Sequence, residues 1–410
     1  MPIRNVPLWF DRYPKSRRPS FPRFRGDLET DVVIVGGGLT GCVSAWSFAG
    51  AGVKTILLEA ESIGRGGTAE SAGLIREDFD ASFRDSLLAH GLRASRTMWQ
   101  TMRRASLDFP AAIRRLGIRC DLSPCDCLTF ARAYSENSRL LQREYQSRRE
   151  AGLDHVWLKP AAAARLAAIE NGGAIRTHGF SFDPYRAALG FAGAARSRGA
   201  LLHEDSPVKR IRAGRKQVQV ATAAGTIRAS SVLVATSAAA LPDLRALRRH
   251  LKATDSYAVV TEPLPAAVRR QVGGRSTAVR DIDAPPHLLR WLKDDRALFV
   301  GADQPAVGDR VRSKALVQRT GQLMYELSVL YPAISGLQPE WAWSSAHYET
   351  VDRLPFIGLH RNFPRHLFAL GAAQHGAGFA WLAARILLRY YQGDPARGDD
   401  LFGFSRVLGK

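Results

Sequence analysis

Short runs of aliphatic and β-branched residues indicate buried strands at several points along the chain. One run covers 31–35 and a second covers 54–58, and a segment of small residues between them ends near Gly52. A short, uniformly apolar run is typical of a parallel strand that is covered on both faces. Strand, helix and strand in this order predict one βαβ unit with a right-handed crossover.

A helical period is clearest near the C-terminus. Apolar residues recur there with the spacing of one helix face, at Phe379, Leu382, Ala383, Ile386, Leu387 and Tyr390. Gly393 and Pro395 then predict the end of that helix. Further helices are predicted over 82–116, 136–152, 185–198 and 308–330, and further strands over 117–131, 208–212, 217–222, 226–229, 231–235 and 366–371 and within 254–303.

The strands of a dinucleotide-binding core lie far apart in the sequence, at 31–59, 231–236 and 366–371. We therefore expect an α/β fold (α+β overall), with a Rossmann-like domain interrupted by a mixed-sheet substrate domain. The predicted division is an N-terminal arm at 1–27, a discontinuous nucleotide-binding domain at 28–116, 183–250 and 341–410, and a substrate domain at 117–182 and 251–340.

The charge of the chain is unusual. Its 410 residues contain 58 Lys and Arg against 38 Asp and Glu, which gives a net charge of +20. The cations are dispersed, as on a solvated surface, so we expect no nucleic-acid partner and at most peripheral membrane contact. No run of about 18 apolar residues predicts a membrane span.

Four cysteines occur, at positions 42, 120, 125 and 127. Their spacing is not that of paired metal-binding knuckles, and no histidine lies near the last three. We expect structural thiols, no metal site, and a cytoplasmic location in which the thiols stay reduced.

A glycine-rich turn follows the first predicted strand. Gly36, Gly38 and Gly41 fit the pattern GxGxxG, in which the glycines allow a tight turn, close approach of a pyrophosphate and close packing of the helix. Glu59 closes the second strand, where an acid accepts hydrogen bonds from a ribose diol. These residues predict a dinucleotide site, but they do not distinguish FAD from NAD.

Two further segments favour the longer cofactor. Residues 62–75 are rich in small side chains that suit an extended ligand, and residues 371–380 form a second glycine-rich junction between a strand and a helix. The N-terminus of that helix, near Gly376, is expected to face the flavin, because a helix dipole stabilises the negative charge of the reduced ring.

The order of these segments resembles a known family. The segments that carry the resemblance are 33–41, 57–60, 71–73, 232–236, 352–358 and 367–385. Together they are similar to the D-amino-acid-oxidase-like FAD-dependent oxidoreductases, which include glycine and sarcosine oxidases, γ-glutamylputrescine oxidase and D-amino-acid dehydrogenases. The resemblance implies a C–N bond oxidised to an imine by hydride transfer to flavin, with a small amine or amino acid as substrate and oxygen or an unknown acceptor.

The resemblance also implies the residues that contact the cofactor. No cysteine matches the covalent attachment site of the family, so it implies noncovalent FAD. The expected contacts are Gly36, Gly38, Gly41, Glu59, Ala60, Arg65, Gly66, Thr68, Ala72, Gly73, Val208, Ala235, Thr236, Gly371, His375 and Gly376.

Three residues are candidates for substrate binding. Arg290 lies in a segment similar to the family strand where an arginine meets the substrate carboxylate, and a guanidinium suits that pairing. Tyr257 is a candidate to lie over the flavin, with a place in the core as its alternative. His375 is a candidate to orient substrate or contact the flavin, with a structural, hydrogen-bonded histidine as its alternative.

Two other functions remain open at this stage. One is a flavin-dependent hydroxylase-like enzyme, although Gly371-Ala372 lacks the Asp of the hydroxylase motif. The other is a flavin-binding module without amine turnover. Disulfide reductases are disfavoured, because no CxxC follows the first helix and no second GxGxxG occurs.

Overall fold

The computed structural model describes residues 2–236, 247–371 and 376–408, and its strands form two sheets. The strands are β1 Leu28–Val35, β2 Thr55–Leu58, β3 Leu74–Arg76, β4 Ser123–Phe130, β5 Val156–Leu158, β6 Ala174–Ser181, β7 Leu201–His203, β8 Arg210–Ala213, β9 Val218–Ala221, β10 Thr226–Val234, β11 Leu251–Thr261, β12 Thr277–Asp281, β13 Leu288–Trp291, β14 Ala297–Pro305, β15 Pro339–Thr350, β16 Phe356–His360 and β17 Phe363–Leu370.

The α-helices are α1 Leu8–Arg12, α2 Leu39–Gly50, α3 Gly67–Glu70, α4 Phe83–Arg115, α5 Glu136–Glu150, α6 Pro160–Ala167, α7 Pro184–Ser197, α8 Ala266–Arg269, α9 Asp309–Leu330, α10 Gly376–Gln392 and α11 Ser405–Leu408. The long predicted helix at 82–116 is interrupted. Gly91 has φ 78° and ψ 165°, so α4 consists of a short first segment and a longer second one.

The first sheet contains the parallel core that the sequence predicts. Its strand order is β16-β17-β10-β1-β2-β7, and β1 is parallel to both β2 and β10. β10 is one continuous strand, although the sequence predicts two, because its ladder with β1 runs from Ile227 to Val234. Alternate residues of β1 face opposite sides, so Val32 and Ile34 pack with α2 while Val33 and Val35 pack on the other face.

The second sheet has nine strands in the order β15-β11-β14-β13-β12-β4-β6-β3, with β5 paired to β6. Its two faces belong to different cores. One face packs against α9 through Leu323 and Leu327, and the other carries Val260 and Trp343 into the core that contains α2 and α10. The second face is therefore turned toward the first sheet.

Strand pairing differs in two places from the predicted division of the chain. The sequence predicts residues 341–350 in the nucleotide-binding domain, but β15, which contains them, pairs with β11 in the second sheet over its whole length. β3 also belongs to that sheet through its pairing with β6. Hydrophobic patterning does not show which sheet a strand joins.

The N-terminal arm contacts both layers. Arg4 forms a bridge with Trp341 of β15, and Arg12 pairs with Asp294 at 2.7 Å. Farther along the arm, Phe21 N donates to the buried carboxylate of Glu204 at 3.1 Å. That carboxylate also accepts from Ile63 N at 2.7 Å, so the arm is tied to the segment that follows β2.

Candidate active site

The glycine turn after β1 is built for close contacts. Gly36 has φ +108°, a conformation that L side chains rarely adopt, and a Cβ there would lie 2.7 Å from the carbonyl oxygen of Ala235. A Cβ on Gly41 would lie 1.9 Å from the carbonyl oxygen of Gly36. The turn therefore depends on glycine at both positions, as the sequence predicts.

The N-terminus of α2 is open toward this turn. Gly38 is the N-cap residue and has no side chain to satisfy the first N–H groups of the helix. The hydroxyl of Thr68 accepts from Leu39 N at 2.8 Å, which brings the small-residue segment to the helix end. Free N–H groups and the helix dipole make such an end a phosphate site.

Glu59 lies beside the same turn. Its carboxylate accepts from Gly37 N at 2.6 Å and from Glu61 N at 2.9 Å. Burial raises the pKa of Glu59, and these hydrogen bonds offset part of that effect. Ser206 N donates to Glu59 O at 2.8 Å, so the segment that leads to Val208 runs next to the acid.

The carboxyl ends of three parallel strands meet at this edge. Val35 of β1 is in register with Val234 of β10, which in turn is in register with Phe368 of β17. The glycine turn, Ala235–Thr236 and Gly371 therefore share one edge of the sheet. The chain continues from β1 to β2 on one side, whereas β10 lies beside β1 on the other side. Such a switch point in strand order is where open α/β sheets bind ligands.

These observations fit FAD. The glycine turn and the open end of α2 suit a pyrophosphate. Glu59 and the segment near Val208 suit an adenosine on one side of it, and residues 64–73 line the other side. Gly64 N donates to Gly37 O at 2.9 Å, and Gly66 is the N-cap of α3. Ala60 and Arg65 are exposed at the entrance.

The second glycine-rich junction lies next to the second sheet. Gly371 has φ +71°, and a Cβ there would lie 2.6 Å from Thr350 of β15. Gly376 begins α10, and a Cβ on Gly378 would lie 3.6 Å from the carbonyl oxygen of Arg76. His375, which the sequence predicts in the site, falls outside the described residues.

Arg290 reaches the small-residue segment from the second sheet. It is only 7% exposed, and one of its terminal nitrogens donates to Ala72 O at 2.8 Å, Gly73 O at 2.5 Å and Phe182 O at 3.0 Å. Burial lowers the pKa of Arg290 to about 10, so it stays protonated at neutral pH. It lines a groove of about 370 Å³ beside Trp9.

Tyr257 has a position in the core, which was the alternative to a place over the flavin. Its side chain belongs to the core cluster beneath α9, together with Val259 and Phe299. Ala258 and Val260 of the same strand face the first sheet instead. Strand residues alternate between faces, so the Tyr257 side chain lies on the face of the second sheet that is turned away from the first sheet.

Sequence reasoning missed a cavity of about 630 Å³ between the layers. We call it the interdomain cavity. It is bounded by residues 78–85 on one side and by parts of β11, β12, β14 and β15 on the other. The dense charge of the segment 76–80, directly after the small-residue stretch, is a signal that would have pointed to it.

The inner wall of the interdomain cavity carries charged groups. Asp80 lies 3.4 Å from both Arg76 and Arg280. Asp303 accepts a short hydrogen bond from the Ser256 hydroxyl, and burial is the main cause of its raised pKa. Ser256 also lies 3.5 Å from the Nδ1 atom of His347. Among the described residues, no Lys, Arg or His nitrogen lies within 4 Å of the Asp303 carboxylate.

The mouth of the cavity carries cations instead. Lys252 and Arg353 are exposed there, and Arg353 has φ 56° at the turn before β16. Elsewhere in the described parts of the chain, the four cysteines are free and buried. No helix in those parts has both the length and the apolar character needed to cross a membrane.

Known proteins resemble this chain over almost its whole length. It is 26% identical over 384 residues to the γ-glutamylputrescine oxidoreductase of Escherichia coli, with 92% of this chain and 87% of that one covered. It is 28% identical over 351 residues to the glycine oxidase of Geobacillus kaustophilus, with 80% and 84% covered.

Solved structures share the fold. The crystal structure of glycine oxidase from Geobacillus kaustophilus gives a TM-score of 0.74 at 22% identity and covers 92% of this chain and 98% of that chain. L-proline dehydrogenase from P. horikoshii gives a TM-score of 0.74 at 19% identity, with 92% and 97% covered.

The model of the family described as FAD dependent oxidoreductase matches residues 31–389, from the first strand of the dinucleotide fold into its last helix. The chain therefore belongs to the DAO family of FAD-dependent oxidoreductases and is an enzyme that uses FAD.

Proposed function

We propose that the enzyme oxidises the C–N bond of a small amine or amino acid to an imine, which water then hydrolyses. The observation that carries the proposal is the interdomain cavity, whose inner wall presents the Asp303 carboxylate without a cationic partner among the described residues. A partly buried carboxylate that forms no ion pair favours a positively charged ligand. The names of two relatives, an oxidoreductase of γ-glutamylputrescine and an oxidase of glycine, support the same substrate class.

We propose that FAD is bound noncovalently along the edge formed by the glycine turn, Glu59 and residues 64–73. When bound, FAD supplies the acceptor for a hydride from the carbon that bears the substrate nitrogen. The protein has to bind, orient and deprotonate the substrate. The proposal includes the domain division given above, with residues 341–350 moved to the substrate domain. A cytoplasmic location stays a prediction.

Asp303 suits a substrate ammonium in two respects. Its carboxylate can hold the ammonium by a charge-assisted hydrogen bond, while Ser256 fixes the carboxylate from the other side. Because burial raises its pKa, Asp303 accepts a proton more readily than an exposed aspartate. Transfer of one ammonium proton to the carboxylate leaves a neutral amine, which is the form that can lose a hydride.

For an acidic substrate, we propose that Lys252 and Arg353 at the mouth bind the carboxylate. Arg290 is less suited to that role than the sequence indicates, because three backbone carbonyls already occupy one arm of its guanidinium. Arg290 also lines the separate groove beside Trp9 and does not line the interdomain cavity.

The test is anaerobic addition of amines, D- and L-amino acids, glycine, sarcosine and polyamines to the purified holoenzyme, with flavin absorbance and released ammonia or aldehyde as readouts. We expect at least one of these compounds to bleach the flavin and to yield a carbonyl product. Bleaching by none of them would favour a binding module, and oxygen insertion into a substrate would favour a hydroxylase-like enzyme.

A pair of variants tests the cavity itself. Asp303→Asn keeps the shape of the side chain but removes its charge, and we expect it to raise KM for the best amine about tenfold or more. Asp309→Asn changes an aspartate with 95% of its side chain exposed and should leave KM unchanged. A peroxide assay in air on the same substrate then decides whether oxygen is the acceptor.

A further inference from the structure

Two side chains from distant parts of the chain hold the same three-residue segment. The indole N–H of Trp9 donates to Ser71 O at 2.8 Å, and Arg290 donates to Ala72 O and Gly73 O. The Arg290 guanidinium also lies over the Trp9 ring, 5.1 Å from its centroid. Three consecutive carbonyl oxygens, those of residues 71–73, therefore accept from this pair.

This segment lies on the path of the cofactor. Thr68 contacts the open end of α2, where the pyrophosphate binds, and Glu59 occupies the adenosine side of that end. The flavin half of an extended FAD must therefore continue on the other side, along the residues that follow Thr68. Those residues lead into β3, whose last residue Arg76 lies next to the first turn of α10.

Arg290 is a buried cation without a matching anion. Among the described residues, no Asp or Glu oxygen lies within 4 Å of its guanidinium, and its Nε atom is buried without a hydrogen-bond partner. Backbone carbonyls solvate part of the charge, but a buried charge is costly unless an opposite charge balances it. Its field is weakly screened, because the surroundings are of low dielectric constant.

We infer that Arg290 is a positioning residue for the cofactor, which, together with Trp9, fixes the backbone of residues 71–73 beside the flavin and favours the reduced flavin through its positive charge. A reduced flavin carries the negative charge that balances the buried guanidinium. The N-terminal arm then contributes to the cofactor site, because Trp9 shields this charge from water. The inference depends on FAD binding and not on the identity of the substrate.

The experiment measures the midpoint potential of FAD in the holoenzyme by reductive titration against a reference dye. We expect Arg290→Gln to weaken binding of reduced FAD relative to oxidised FAD about tenfold, which for a two-electron couple corresponds to a potential about 30 mV more negative. Arg290→Lys keeps the charge and should stay within about threefold of the wild type. Trp9→Leu should shift the potential in the same direction as Arg290→Gln, but by less.

Arg275→Gln serves as the matched control, because Arg275 lines the same groove but has 64% of its side chain exposed. An unchanged potential in Arg290→Gln, with a raised KM for acidic substrates, would overturn the inference. It would indicate instead that Arg290 binds the substrate carboxylate. Equal shifts in Arg290→Gln and Arg290→Lys would also overturn it, since the charge would then have no part. If Arg290→Gln fails to retain FAD, the midpoint potential of Trp9→Leu decides instead. A more negative potential than that of the wild type supports the inference, and an unchanged potential overturns it.

Discussion

The guanidinium of Arg406 holds the carboxylate of Asp352 through two hydrogen bonds of 2.7 and 3.1 Å. Arg406 also donates to Pro355 O and Phe402 O at 2.9 Å. Its side chain is 5% exposed. These bonds tie the C-terminal helix α11 to the turn that carries Arg353 at the mouth of the interdomain cavity.

We therefore expect Arg406→Ala to destabilise the protein by about 3–5 kcal/mol, because it removes the guanidinium from a largely buried Asp352 carboxylate. Thr350, Leu354 N and His90 still contact the carboxylate, but they do not replace the permanent positive charge. The measurement is urea unfolding at constant m value. Arg397→Ala, at an exposed position, is the control. A change of less than about 0.5 kcal/mol in Arg406→Ala would contradict this role.

A second prediction distinguishes the contribution of the glycine turn to folding from its contribution to FAD binding. The backbone of Gly38 is compatible with alanine, and an added Cβ would meet only Thr68 Oγ1 at 3.1 Å. We expect Gly38→Ala to fold with a change in stability of less than about 1 kcal/mol in the absence of FAD but to lose at least tenfold in FAD affinity. Flavin fluorescence on titration measures the affinity.

Gly193→Ala is the control for that variant, because nothing lies within 4 Å of the Cβ it would add in α7. Gly36→Ala should instead lose the folded state itself, since its Cβ would strike the Ala235 carbonyl. Wild-type FAD affinity in Gly38→Ala would show that the pyrophosphate does not approach this backbone.

A third prediction concerns acid stability. Burial, with the nearby charge of Arg148, lowers the pKa of His155 to about 3, whereas an unfolded histidine titrates near 6.5. The folded state therefore binds fewer protons than the unfolded state between these values. His155 contributes stability that is complete above pH 6.5 and is lost as the pH falls, by about 2 kcal/mol at pH 5.

His155→Gln should remove this part of the pH dependence, measured as the free energy of unfolding at pH 7.5 and at pH 5. His178→Gln is the matched control, because the His178 side chain is 70% exposed. If both variants lose stability in acid as steeply as the wild type, another group is responsible.

A fourth prediction follows from the position of Tyr257 beneath α9. Its hydroxyl accepts from Gln304 at 2.6 Å. Tyr257→Phe should lower stability by about 0.5–1.5 kcal/mol through loss of that bond, and should leave the flavin spectrum and the rate of flavin reduction unchanged. A tenfold slower flavin reduction in Tyr257→Phe would instead indicate that Tyr257 contacts the flavin.

The sequence predicted the parts of the fold that local chemistry determines. The glycine turn, the acid at the end of β2 and the apolar face of α10 each depend on residues close together in the chain. Tyr257 shows the limit, since period-two patterning identifies a strand but not which face meets which layer when both faces are buried. The contacts of Arg290 with residues 72 and 73 join segments more than 200 positions apart, and no local signal encodes them.

The interdomain cavity was missed for a related reason. Asp80, Asp303 and Glu349 line it from three separate segments, and each alone resembles an ordinary surface charge. The charge of the whole chain, +20, also gave no indication of a local excess of carboxylates. Only the packing of the two sheets brings these groups to one wall.

The order of strands in the first sheet affects how the chain matures during synthesis. β17, which completes the nucleotide edge beside β10, ends at Leu370 of a chain of 410 residues, and α10 follows it. A ribosome must therefore make the chain through Leu370 before the edge can close, so we expect FAD to bind only a chain that already contains β17. Until then the edge of β10 that pairs with β17 has no partner strand, and an unpaired strand edge exposes an unfinished chain to aggregation.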